Sequence, residues 1–132
     1  MKRVLKHIIP ELLLQDEKIF KSVHSAKKFA AILNRERDRS DRTGQEFSLV
    51  VFETGSGSRK SEAVRNLVSN LKKRIRSIDE IGRIEDDRIA VALPHTPSDD
   101  AWKFVANVRR ALGGSAPGPD CTVYVYPSRW IT

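Results

Sequence analysis

Arg76 and Asp79, separated by two residues, have the types and spacing for binding chemistry. An arginine fork donates paired hydrogen bonds to a phosphate or to the Hoogsteen edge of a guanine, and an aspartate accepts hydrogen bonds from guanine N–H groups. The same pair has a structural interpretation, in which Arg76 ends a basic helix and Asp79 shapes the turn into a strand. Four nearby basic residues would help an anionic ligand if they lie on the same side: Lys72, Lys73, Arg109 and Arg110.

Three consecutive carboxylates form a second group of interest: Glu85, Asp86 and Asp87. Together with Glu53, which follows an apolar run, they carry the oxygen ligands that a divalent cation prefers. Acidic runs of this kind also form solvated turns, and Arg83 and Arg88 flank this one as counter-ions. The turn is the simpler interpretation, so we expect no metal site here.

The histidines and the single cysteine point to no further site. His7, His24 and His95 are scattered, and their spacing to Cys121 does not match a metal site. We recognise no nucleophile with a neighbouring base, and we expect no cofactor. One cysteine excludes an internal disulfide and fits a reducing cytoplasm.

The composition limits the class of protein. The chain has 132 residues, enough for one domain with one core. Its 24 Lys and Arg outnumber 17 Asp and Glu, and the formal net charge of +7 suits either an anionic partner or simple solvation of helix faces. No apolar run approaches the roughly 18 residues of a membrane span, and the first residues lack the pattern of a signal peptide. We expect a cytoplasmic protein without a transmembrane segment.

Helical periodicity is clearest in the middle of the chain, where apolar residues recur at helical spacing over 64–78, ending with Ile78. Ser25 predicts the N-cap of an earlier helix that runs to about Ser40. Thr96, which precedes a proline and an acidic residue, predicts the N-cap of a later helix.

Four short runs have the pattern of β-strands: Phe47 to Phe52, Glu80 to Ile84, Arg88 to Leu93 and Cys121 to Tyr126. After the first helix the order of elements is β-α-β-β-α-β, the ferredoxin-like arrangement of an antiparallel sheet. We therefore predict an α+β domain over 25–132, preceded by a helical lead-in over 1–24. Nucleotide-cyclase palms and RNA-binding domains share this order, so the fold alone does not determine the function.

The order of these motifs resembles the GGDEF family of nucleotide cyclases. The stretch RSIDEIGRIEDDRI at 76–89 is similar to the family pattern R-x-x-D-x-x-x-R-x-G-G-D-E-F. The run at 48–53 resembles the family's first strand, which ends in a metal-binding Asp, and FAAILNRE at 29–36 resembles the helix before it. The resemblance spans roughly residues 25–127 and implies a nucleotide-cyclase palm. It also implies that Arg76 and Asp79 occupy the family's inhibitory site, which binds cyclic di-GMP away from the catalytic centre.

The chain departs from the family pattern at the catalytic positions. Where the family has two glycines that let the nucleotide approach, this chain has Glu85 and Asp86. Asp87 is retained, but the following acidic position is Arg88, and Glu53 stands in place of the metal-binding Asp. The resemblance therefore implies a degenerate domain that is not an enzyme, because one or two carboxylates do not hold two metal ions and a triphosphate.

The sequence leaves three functions open. The first is a catalytically inactive GGDEF-like regulatory module that senses cyclic di-GMP through Arg76 and Asp79. The second is a protein-interaction or dimerisation module, in which residues 1–24 engage a partner or a second copy. The segment at 33–37 loosely resembles degenerate domains of bacterial exopolysaccharide synthesis, which would place a partner there. The third is RNA binding by the sheet; it depends on the net charge and two tyrosines, and we do not expect a nucleic-acid partner.

Overall fold

The computed structural model describes residues 21–54, 60–85, 88–113 and 119–127. Seven elements follow one another in these ranges: α1 (Ala26–Thr43), β1 (Phe47–Phe52), α2 (Lys60–Arg74), β2 (Glu80–Ile84), β3 (Arg88–Leu93), α3 (Ser98–Leu112) and β4 (Cys121–Tyr126). The α+β class and the β-α-β-β-α-β order are confirmed. Of the lead-in predicted over 1–24, only the last four residues lie within the described part.

The four strands form one antiparallel sheet in the order β2-β3-β1-β4. Val50 in the middle of β1 lies opposite Val91 of β3 and Val123 of β4. β1 and β3 occupy the centre, and both are buried along almost their whole length. A strand covered on both faces needs apolar residues at successive positions, which explains the nearly continuous apolar runs in these two strands.

The helices cover both faces of the sheet. α2 and α3 pack on one face and form the larger core, which includes Val50, Phe52, Leu67, Val68, Leu71, Ile89, Val91, Val105 and Val108. α1 packs on the other face, where Phe29 lies over the small side chains of Ala90 and Ala92. Gly82 is required there, because a Cβ atom at this position would lie 2.1 Å from the Phe29 ring.

α1 begins where Ser25 predicts and ends at Thr43, three residues beyond the predicted end. The Ser25 side chain accepts a hydrogen bond from the backbone N–H of Lys28, with 3.2 Å between the two atoms. At the other end Gly44 adopts the left-handed conformation, with φ at 75°, and donates its N–H to the Ser40 carbonyl. No helix among the described residues is long and apolar enough to cross a bilayer.

Two helix predictions are wrong at their ends. α2 ends at Arg74, and Ile78 is exposed in the following turn instead of extending the helix. Thr96 is not the N-cap of α3: Pro97 occupies that position, without a side-chain cap. The Thr96 hydroxyl donates to the Pro94 carbonyl instead. In the turn after α2 and in the loop before α3, local hydrogen bonds therefore replace helical ones.

Tyr124 and Tyr126 share the face of the sheet that carries α1, but their surroundings differ. The Tyr126 hydroxyl donates to Asp41 at 2.7 Å, and the Arg37 guanidinium lies 5.2 Å from the centre of the Tyr126 ring. The Phe47 ring contacts it from β1. Tyr124 is exposed. The end of β4 is therefore held against α1, while the middle of β4 is not.

Candidate functional site

The predicted site residues fall at opposite ends of the sheet. Because β1 and β3 are antiparallel, the end of β1 and the start of β3 meet at one end, where Glu53 and Arg88 lie. We call this the hairpin end. The turn before β2 and the loop after β3 meet at the other end, where Arg76 and Asp79 lie. We call this the turn end.

At the turn end the Asp79 carboxylate is saturated by hydrogen bonds from one residue. It accepts from the Arg76 backbone N–H at 2.8 Å, from Arg76 Nη2 at 2.8 Å and from Arg76 Nε at 3.2 Å. The Asp79 backbone N–H donates back to the Arg76 carbonyl at 3.0 Å. Only 2% of the Asp79 side chain is exposed. Arg76 and Asp79 therefore form a closed turn in which the carboxylate is buried.

Arg76 also ties this turn to the loop between β3 and α3. Its Nη2 atom donates to the Pro94 carbonyl at 2.9 Å and to Thr96 Oγ1 at 3.0 Å. The same loop is bound to β1 through the Ser48 hydroxyl, which donates to the Thr96 carbonyl at 2.7 Å. We call Arg76, Asp79, Pro94 and Thr96 the Arg76 clamp. Within the loop, His95 is held in the left-handed region with φ at 54°.

The two charged groups of the clamp differ in their access to a ligand. Half of the Arg76 side chain is exposed, so an anion can approach the guanidinium from solvent. The buried Asp79 carboxylate reaches a guanine edge only if the ion pair opens. While the ion pair is closed, Asp79 holds the Arg76 guanidinium toward solvent, and only the guanidinium is accessible. The clamp therefore suits an anionic group better than the N–H edge of a base.

A positively charged groove runs between the end of α2 and the later turns of α3, from Arg74 near the turn end to Arg110 in the last turn of α3. It has a volume of about 440 Å³ and is lined by Arg74, Phe104, Asn107, Arg110 and Ala111. Arg110 Nη1 donates to Asn107 Oδ1 at 3.3 Å. Arg110 is one of the basic residues singled out from the sequence, whereas Arg74 and Phe104 are not. A helical-wheel comparison of α2 with α3 is the signal that would have paired them.

Arg109 does not contribute to this groove. Its guanidinium donates to the Pro119 carbonyl through Nη2 at 3.0 Å and through Nε at 3.2 Å, beside the start of β4. Burial raises the pKa of the nearby Cys121 thiol, an effect that Arg109 opposes and Asp120 reinforces. Cys121 therefore stays protonated at neutral pH and is a poor nucleophile.

At the hairpin end Arg88 pairs with one acidic side chain, that of Glu53. Arg88 Nη1 lies 3.2 Å from Glu53 Oε1, and Arg88 Nε donates to the Glu85 carbonyl at 3.2 Å. This pair is open to water, since 50% of the Glu53 side chain and 30% of the Arg88 side chain are exposed. Asp86 and Asp87 lie outside the described residues.

Several solved structures have a fold similar to that of this chain. A DGC protein from Thermotoga maritima is 18% identical with a TM-score of 0.68, over 83% of this chain and 86% of that chain. The GGDEF domain of DgcB from Caulobacter crescentus, solved with c-di-GMP, is 14% identical with a TM-score of 0.59, over 78% and 68% of the two chains. The diguanylate cyclase SiaD from Pseudomonas aeruginosa, solved with its activator SiaC, is 19% identical with a TM-score of 0.62, over 94% and 55%.

The chain has the GGDEF-domain fold. No family model matches it, and neither does any curated protein sequence. The resemblance that the sequence motifs predicted is thus confirmed at the level of three-dimensional structure, although the sequence is only 14–19% identical to those of the three solved structures described above.

In this GGDEF-like domain the described residues of the hairpin end do not fit a pair of divalent cations. The Glu53 carboxylate, which the sequence resemblance aligns with the family's metal-binding Asp, is bound to the Arg88 guanidinium. Among the residues that the structure describes, no three His, Cys, Asp or Glu side chains come together as a metal site. A cation at Glu53 would have to displace Arg88 first.

Proposed function

We propose that this GGDEF-like domain is a non-enzymatic regulatory module that acts in the cytoplasm. The ion pair between Arg88 and Glu53 is the observation that supports this most. It brings a guanidinium against the carboxylate that, by the family resemblance, would hold the metal ions of a cyclase. Glu85, beside it, adds a side chain where the family has a glycine that lets the nucleotide approach.

The proposal is tested by incubating the purified protein with GTP and Mg²⁺ and separating the products by chromatography. We expect no cyclic di-GMP above the level of a blank without protein, while an active GGDEF domain in the same buffer gives product. Accumulation of cyclic di-GMP that depends on protein concentration would contradict the proposal.

We further propose that the turn end is the regulatory site and that it binds cyclic di-GMP. Arg76 offers a half-exposed guanidinium there, and Arg74, two residues before it, lines a groove that continues along α3 to Arg110. Arginine forks suit the two phosphates of a cyclic dinucleotide, and Phe104 gives the groove an aromatic surface for a base. DgcB, which shares the fold, was solved in complex with c-di-GMP.

In this proposal the two residues of the sequence motif have different tasks. Arg76 contacts the ligand, while Asp79 holds the Arg76 guanidinium in place and closes the turn. A variant of Asp79 would therefore lose both stability and binding and would not separate the two. The groove arginines are better targets, because Arg74 and Arg110 are both exposed.

Calorimetric titration with cyclic di-GMP tests the site. We expect binding to weaken about tenfold or more when Arg74 and Arg110 are both changed to Ala, since charge-assisted hydrogen bonds to phosphate contribute about 1.5–3 kcal/mol each. The double variant Lys27→Ala, Arg35→Ala is the matched control, because it removes the same two positive charges from exposed positions of α1 on the opposite face of the sheet. Equal affinities for all three proteins, or no heat from the unaltered protein, would exclude this site.

A protein-interaction module is the second candidate function. The buried state of the Asp79 carboxylate favours it, since that group is unavailable to a nucleotide while the pair is closed. Ile78 and Trp102 are large exposed apolar side chains that a partner would cover. SiaD was solved with a protein activator bound.

Affinity capture with the full chain and with residues 1–24 deleted tests this candidate. That the partners belong to exopolysaccharide synthesis stays a prediction.

RNA binding has the least support. The ring of Tyr126 is engaged by Arg37 and its hydroxyl by Asp41, so this tyrosine is not free to stack on a base. Tyr124 alone does not make a stacking surface. Absence of RNA binding in a filter assay at low salt is the expected result, and affinity that falls steeply with added salt would contradict it.

A further inference from the structure

The two edges of the sheet are protected differently. At the β2 edge, residue His24 adds a further rung: its N–H donates to the Ile81 carbonyl at 2.9 Å and its carbonyl accepts from Arg83 N–H at 3.0 Å. The His24 side chain also pairs with Glu80. Within the ranges that the structure describes, β4 at the opposite edge pairs with β1 alone.

The amino-acid composition of β4 is typical of a strand that is paired on both sides. Its six residues, CTVYVY, contain no charge, no proline and no glycine, and β-branched and aromatic side chains dominate. Soluble proteins usually protect an open edge with lysine, proline or a bulge, because unpaired N–H and C=O groups recruit another strand. Tyr124 in the middle of β4 is 55% exposed.

The pairing of β4 with β1 determines which backbone groups face outward. The Glu53 N–H donates to the Asp120 carbonyl at 2.8 Å, so Asp120 points its backbone groups toward β1. These directions alternate along an antiparallel strand. Thr122, Tyr124 and Tyr126 therefore also bond inward, and the N–H and C=O groups of the alternate residues point away from β1: Cys121, Val123 and Val125.

We propose that a second copy of this chain pairs with the β4 edge, antiparallel and about a two-fold axis at Val123. This register places Cys121 opposite Val125 of the second copy and uses all three outward residues in about six hydrogen bonds. Tyr124 then lies opposite Thr122 of the second copy, which covers its exposed ring. The sheet becomes continuous across eight strands, four from each copy.

Charge and symmetry favour a second copy as the occupant. The stretch 121–128 is uncharged in a chain whose net charge is +7, so two copies meet here without like charges directly opposed. An antiparallel strand pair is self-complementary under two-fold symmetry. One pair of six-residue strands covers less than the roughly 1,600 Å² of a standard interface, so the dimer is weak and depends on concentration.

Sedimentation equilibrium over about two decades of protein concentration tests the proposal. We expect a reversible monomer–dimer equilibrium in the unaltered protein. Tyr124→Lys should raise the dissociation constant about tenfold or more, because the two lysines would lie about 8 Å apart across the axis. Val125→Pro should have a similar effect, since it removes an outward donor and leaves the bonds to β1 intact. Ala30→Lys adds the same charge to an exposed position of α1 and should change the constant less than twofold.

Amide hydrogen exchange identifies the surface independently of the variants. Protection of the Val123 and Val125 amides should increase with protein concentration, while protection of the inward Thr122 and Tyr124 amides should change little. A protein that stays monomeric throughout, or a dimer that Tyr124→Lys and Val125→Pro leave unchanged, would overturn the proposal. Circular dichroism of each variant confirms that a lost dimer is not a lost fold.

Discussion

The two ends of the sheet each contain an arginine paired with a carboxylate, but the two pairs differ in burial and in the number of hydrogen bonds that hold them. At the turn end Asp79 is buried and receives several hydrogen bonds from Arg76, which also binds the loop after β3. At the hairpin end Glu53 and Arg88 meet in water through one contact at 3.2 Å. Buried, multiply bonded charges are costly to break, whereas exposed pairs contribute about 0–1 kcal/mol.

The difference is one of structural role. The described residues of the hairpin end contribute one exposed ion pair. At the turn end Arg76 and Asp79, whose spacing resembles that of the family's ligand site, take part in the hydrogen bonds that join the turn to the loop after β3. The comparison indicates that the Arg76 clamp is a structural element that also presents an arginine.

The largest expected effect is that of Asp79→Ala. It removes the acceptor of the Arg76 backbone and side-chain hydrogen bonds, so we expect a loss of about 3 kcal/mol in the free energy of unfolding. Urea denaturation followed by circular dichroism measures this. Glu53→Ala removes the carboxylate of the other pair and serves as the matched control, with an expected change within about 0.5 kcal/mol. Equal losses in the two variants would remove the distinction between the ends.

Arg76→Lys should have the next largest effect. An ammonium group keeps the charge but cannot bond Asp79, Pro94 and Thr96 together, so we expect a loss of about 1.5 kcal/mol. Arg88→Lys is the corresponding change at the hairpin end and should cost almost nothing. If lysine restored full stability at position 76, charge alone and not the geometry of the guanidinium would hold the turn.

Thr96→Val tests whether the loop after β3 belongs to the clamp. The hydroxyl accepts from Arg76 and donates to the Pro94 carbonyl, and its removal in a buried position should cost about 1 kcal/mol. Thr43→Val, which changes an exposed hydroxyl at the end of α1, is the control and should cost less. Thermal unfolding of both variants gives the comparison, and an unchanged midpoint for Thr96→Val would place the loop outside the clamp.

Arg88→Ala should have the smallest effect on stability, within about 0.5 kcal/mol, because its partner is half exposed and salt screens the pair. The urea midpoint of this variant and of the unaltered protein should converge as NaCl is added. A loss above about 2 kcal/mol would show that the hairpin end is as firmly built as the turn end.

The strands were predictable because their signal is local. Alternating or continuous apolar runs bounded by turn residues gave the bounds of β1 and of β4 as the structure has them. The helix ends at Ile78 and Thr96 were not predictable in this way. After α2 the Arg76 N–H bonds the Asp79 carboxylate, and before α3 the Thr96 hydroxyl bonds the Pro94 carbonyl. The positions of these acceptors are set by the packing of the turn against the loop after β3, which the local sequence pattern does not specify.

The candidate site shows the same limit. The spacing of Arg76 and Asp79 marked the pair, but the partners that fix the arginine lie 18 and 20 residues further along the chain. The pairing of Arg88 with Glu53 joins residues 35 positions apart, and the groove needs Arg74 and Arg110 from different helices. Contacts of this kind depend on sheet register and helix packing, which a single sequence specifies only weakly.

Backbone amide chemical shifts, followed in a titration of the ¹⁵N-labelled protein with cyclic di-GMP, test the central claim most directly. The account predicts saturable shifts around Arg74, Arg76 and Thr96 at the turn end and along the groove as far as Arg110, and none around Glu53 and Arg88. Shifts centred on the hairpin end would contradict it, because the ligand would then occupy the position of a cyclase active site. No shifts at any ligand concentration would contradict the assignment of the turn end as a cyclic di-GMP site.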